Sequence, residues 1–130
     1  MTVVAWVSRH RPLPIQIRKL KEKFGDIELV ILNRTFRDVR DIYSDIKAVN
    51  AQYAVLVLPL SMISALVQLY KDVVWLWAEM VPVHEHCIGE DCPDFNAESD
   101  VIMHSPDAVR HLRFNEFRRI LRVEMITEPF

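Results

Sequence analysis

The stretch Tyr53-Ala54-Val55-Leu56-Val57-Leu58-Pro59 is hydrophobic at successive positions, with no polar alternation. A strand without a polar face must be covered above and below, as a central strand of a parallel sheet is. Val3 to Val7, Ile27 to Leu32 and Val73 to Ala78 have the same character, and helical patterns separate the four runs. Parallel strands need crossover connections, and such crossovers are right-handed.

The intervening segments carry helix signals. Leu13, Ile17, Leu20 and Phe24 fall on one helical face, Pro14 suits the first turn and Gly25 suits the stop. Phe36, Val39, Ile42, Ile46 and Val49 mark a second helix, with Thr35 and Asp38 spaced as a capping box. A third runs from an expected cap at Ser61 to about Tyr70. It is apolar nearly all round, which implies a cover such as a partner subunit. Residues 79–100 read as a loop rich in Cys, His and acids. Val101 to His104, a turn at Ser105-Pro106-Asp107 and a last strand from Ile120 to Thr127 follow. Trp6, Trp75 and Trp77 lie in expected strands and are read as core. The expected architecture is a single domain, 1–130. It is a three-layer, Rossmann-like α/β fold with a mainly parallel four-stranded sheet in 1–78 and an antiparallel C-terminal β extension in 79–130.

Composition bounds function. The chain is 51% hydrophobic and 26% charged, with a net charge of −2, so it is globular and has no overall bias toward polyanions. Local charge is uneven: residues 9–23 hold six basic side chains and one acid, 85–100 six acids and no Lys or Arg, and 110–122 five Arg and one acid. The apolar start has no basic region before it and no cleavage site, and the run from Ala54 to Leu69 is too short and interrupted to span a bilayer. An intracellular protein without a membrane partner is expected. With only Gly25 and Gly89, the chain has neither G-x-G-x-x-G nor a P-loop.

Two sets of candidate residues emerge. Arg9, His10, Asn33, Arg34, Thr35 and Ser61 fall after strands, where parallel sheets bind ligands, and would suit an anionic ligand such as a nucleotide or phosphate ester. A solvated rim is the simpler account of the same residues. The second set lies in His84-Glu85-His86-Cys87-Ile88-Gly89-Glu90-Asp91-Cys92. Thiolate and imidazole are zinc ligands. Cys87 and Cys92, one of His84 and His86, and His104 or His111 from the following hairpin would complete a structural site. Free thiols and a Cys87–Cys92 disulfide remain open alternatives, and no nucleophile elbow or catalytic pair stands out.

The few glycines, the Ile, Val and Arg richness and the Cys/His segment resemble the small α/β proteins of thermophilic archaeal viruses and plasmids. That resemblance implies an intracellular, host-directed role, in which a disulfide or a structural metal would each fit. The leading expectation is a non-enzymatic binding protein that forms homo-oligomers and carries a structural zinc. The alternatives are a nucleic-acid binder using residues 9–23 and 110–122, and a small enzyme acting on a nucleotide or phosphorylated ligand at the strand ends.

Overall fold

The computed structural model describes residues 1–84 and 92–130. Its elements are β1 (Thr2–Val7), α1 (Pro14–Phe24), β2 (Ile27–Leu32), α2 (Val39–Ala48), β3 (Tyr53–Leu56), α3 (Leu60–Leu69), β4 (Val74–His84), β5 (Asp100–His104) and β6 (Val109–Arg119). The strands form one six-stranded sheet in the order β2-β1-β3-β4-β6-β5. The first four are mutually parallel, and β6 and β5 join antiparallel. The antiparallel C-terminal extension expected from sequence is present, but the sheet is mixed and six-stranded rather than a four-stranded, mainly parallel one, because β4 pairs with β6 along most of its length.

Both faces of the parallel part are covered. Ala5, Val7, Ala54, Leu56 and Trp75 point to the face packed by Ile42 and Ile46 of α2 and by Ile63, Leu66 and Val67 of α3. Val4, Trp6, Val55 and Leu76 point to the other face, where Leu20 of α1 packs. Alternate residues of each strand thus enter opposite cores, which is why these strands are hydrophobic without alternation.

Local signals place α1 as expected. Pro14 opens it, and Gly25 closes it at φ 74°, with its amide donating to the Lys21 carbonyl at 2.8 Å. The other caps differ. Asp38, rather than Thr35, caps α2, accepting from the Arg40 amide at 2.8 Å. Pro59, rather than Ser61, is the N-cap of α3 and offers no side-chain cap. Three further expectations fail. β4 continues through Glu79 to His84, where a loop was expected. The last strand is Val109–Arg119, and residues 120–130 have no regular structure. Trp77 is 45% exposed, outside the core that holds Trp6 and Trp75. Part of the cover for α3 is the chain's own tail: Ser64 Oγ donates to the Val123 carbonyl at 3.2 Å, and Ile120 and Val123 pack on the core. Among the described residues no helix is long and apolar enough to cross a membrane.

Candidate metal centre

The antiparallel pairing of β4 with β6 builds the site. Val81 and Pro82 pair with Arg113 and Leu112, so simple counting would set Val83 opposite His111. The register shifts after Pro82 and His84 takes that place. A proline removes a ladder donor and is tolerated at such a bulge, and the bulge re-aims the side chain that follows. The rings of His84 and His111 then lie 5.6 Å apart between centroids. Cys92 approaches from the loop that leads into β5. Ligand atoms of His84, Cys92 and His111 lie within 4.8 Å of one another.

Behind this trio stands a buried ionic network. His111 is fully buried, and its Nε2 is 2.6 Å from Oδ2 of Asp100. Asp100 also accepts from Arg113 Nε at 2.8 Å, Arg113 Nη2 at 3.0 Å, Ser99 Oγ at 2.6 Å and the Asn96 amide at 2.9 Å. Burial, the largest single influence on its carboxyl group, pushes the pKa up. The hydrogen bonds from Arg113, Ser99, His111 and Asn96 together outweigh it and hold the group well below the usual carboxylate range. An ionised Asp100 only accepts, so His111 Nε2 donates to it, and in the neutral ring the lone pair is then on Nδ1. That Nδ1 is buried and, among the described residues, has no hydrogen-bond partner. His84 faces Asp94 through Nε2 at 2.9 Å, which leaves its Nδ1.

The loop before β5 is itself anchored. Arg113 donates to the Asp94 carbonyl at 2.8 Å, the Ile15 amide donates to the Glu98 carbonyl at 3.2 Å, and Arg18 pairs with Glu98 at 3.2 Å. Residues 92–99 are thereby tied to both β6 and α1.

Of the residues expected from sequence to bind metal, His84 and Cys92 come together. His104 is exposed at the far end of the β5–β6 hairpin, paired with Val109, and His111 stands with the other two. His86 and Cys87 lie outside the described residues. Asp100 and Arg113 escaped sequence reasoning. The available signal was the alternation of His111 and Arg113 on β6, which puts both on one face, but their shared partner lies across a loop.

The strand-end set divides too. Arg9, His10, Arg34 and Thr35 line one cleft, while Asn33 and Ser61 do not. The basic segments are partly matched by acids: Lys19 with Glu22, Arg118 with Glu79 and Glu116, Arg122 with Glu124, besides Arg18 and Arg113.

Comparison with protein-family models, curated proteins and solved structures finds no match for this chain. Function is therefore argued from the site.

Proposed function

We propose that the protein is a non-enzymatic, self-associating binding protein whose β4–β6 end is stapled by a structural zinc ion to which His84, Cys92 and His111 supply three of the four ligands. The observation that carries this reading is the buried, unpartnered Nδ1 of His111 beside a histidine and a cysteine. An orphaned buried acceptor is costly, and a metal satisfies it. Metal-bound histidines commonly donate their other N–H to a carboxylate, which is the relation His111 has with Asp100. Mixed thiolate and imidazole donors favour zinc over hard cations.

A structural role is favoured over a catalytic one. Asp100 is saturated by its donors and kept ionised by Arg113, so it is poorly suited to shuttle protons. Self-association is supported by an apolar cleft of about 630 Å³ between α3 and the tail, bordered by exposed Val57, Leu60, Trp77 and Leu121.

Elemental analysis of the purified, untagged protein tests the metal. About one zinc per chain is expected, retained in His104→Ala and lost in Cys92→Ser. Cobalt substitution should show a thiolate charge-transfer band that Cys92→Ser abolishes. Protein that is metal-free and takes up neither ion would overturn the reading.

A further inference from the structure

The sheet order sets β1 between β2 and β3. The chain leaves β1 toward β2 on one side and returns to β3 on the other, so the connections after β1 and β3 diverge. Open α/β sheets bind ligands in the crevice created at such a switch point. Here that crevice is a cleft of about 360 Å³ lined by the ends of β1, β2 and β3 and by the first turn of α3. It shares no residue with the His84–Cys92–His111 group.

The two sides of the cleft differ chemically. Ser8, Arg9, His10, Arg34 and Thr35 form a polar side, and the lining contains no acid. Arg9 Nη2 donates to Thr35 Oγ1 at 2.8 Å, bridging the ends of β1 and β2. Among the described residues Arg9 has no ion-pair partner, and the remaining donors of its guanidinium suit a phosphate. Arg34 is different: its Nε donates to Asp45 at 2.9 Å, and its guanidinium carbon lies over the Phe36 ring, 4.5 Å from the centroid. Leu58, Pro59 and Met62 supply apolar walls.

We propose that this cleft binds a nucleoside monophosphate. Arg9 and Thr35 take the phosphate, and the Arg34–Phe36 pair with Leu58 and Met62 takes the base. Guanidinium planes and aromatic rings stack nucleobases, whereas a sugar phosphate would leave the apolar walls unused. The volume lies at the small end of the range for ligand pockets, sized for one small molecule. The connection from β1 to α1, Ser8 to Leu13, contains no glycine. It lacks the backbone cradle that di- and triphosphates use, so side chains must hold the anion, and a single phosphate is the natural load.

Calorimetric titration of the whole protein with AMP, adenosine and inorganic phosphate is the test. AMP should bind saturably and more tightly than either fragment. Arg9→Ala, at an exposed position that folding tolerates, should weaken AMP by about tenfold or more. Arg11→Ala, from the same basic stretch but outside the cleft, should leave the affinity within about twofold. The proposal is overturned if AMP does not bind, if inorganic phosphate binds as well as AMP, or if the two variants weaken it equally, since that would signal diffuse charge. Tighter binding of a 5′-phosphorylated oligonucleotide than of AMP, equally lost in Arg9→Ala, would move the site to a strand end and overturn the mononucleotide.

Discussion

His111 shows how one side chain acquires two roles. Its Nε2–H is spent on Asp100, and its Nδ1 is left buried without a partner among the described residues, in a ring grouped with His84 and Cys92. Asp100→Asn preserves shape but removes the charge that Arg113 and His111 share. It should lower stability by about 2–3 kcal/mol, read as the shift of a urea unfolding curve at pH 7. The sign with pH follows from the depressed pKa of Asp100. Its stabilising contribution is complete above the unfolded value, about 3.9, and declines as pH falls toward the lower folded value. The gap between wild type and Asp100→Asn should therefore narrow below about pH 4, and a constant gap down to pH 2 would contradict an ionised Asp100. Sequence reasoning pointed to His84 and Cys92 because ligand type and proximity along the chain carry information. It could not choose between His104 and His111. Both follow the same loop, and only strand register separates the hairpin tip from the buried position near the start of β6.

Among the elements, α3 is the most informative. Its composition, nearly devoid of charge, demanded a cover, and the tail supplies part of it. The Ile120 amide donates to the Trp75 carbonyl at 2.8 Å, and Val123 sits over the helix beside Ser64. Removing residues 120–130 should cost about 2–3 kcal/mol, the scale of re-exposing two partly buried aliphatic side chains and the surface beneath them. A thermal melt should show the loss, with increased binding of a hydrophobic dye. An unchanged melting temperature would mean that the tail rests on α3 without stabilising it. The tail's alternation of Leu121, Val123 and Met125 reads as a strand. Yet β6 is bordered by β4 and β5, so no sheet edge beside it is open to receive another strand. Thr35 and Ser61 were reasonable caps by residue type, and the chain turned into the helices at Asp38 and Pro59 instead. Cap positions depend on where the preceding strand releases the backbone.

At the scale of the whole molecule, four exposed apolar side chains, Val57, Leu60, Trp77 and Leu121, border the cleft between α3 and the tail. Leu60 is 69% exposed there and Trp77 45%. Sedimentation analysis should find a dimer or larger species, which Leu60→Glu shifts toward monomer without changing the melting temperature by more than a few degrees. A monomeric wild type at tens of micromolar would refute self-association through this face. The parallel half of the sheet, its three helices and their buried stripes were legible in the sequence, since the periods of 3.6 and 2 and the hydrophobic runs are local properties. The joining of β6 to β4, the bulge after Pro82 and the selection of His111 over His104 were not. Each depends on the register between segments some 30 residues apart along the chain, and many registers satisfy the same local pattern. Charge behaved alike. The two basic stretches are plain in the sequence, but Glu98, Asp100 and Glu79 pair with Arg18, Arg113 and Arg118 across folded distances, because ion pairing follows proximity in space rather than order along the chain.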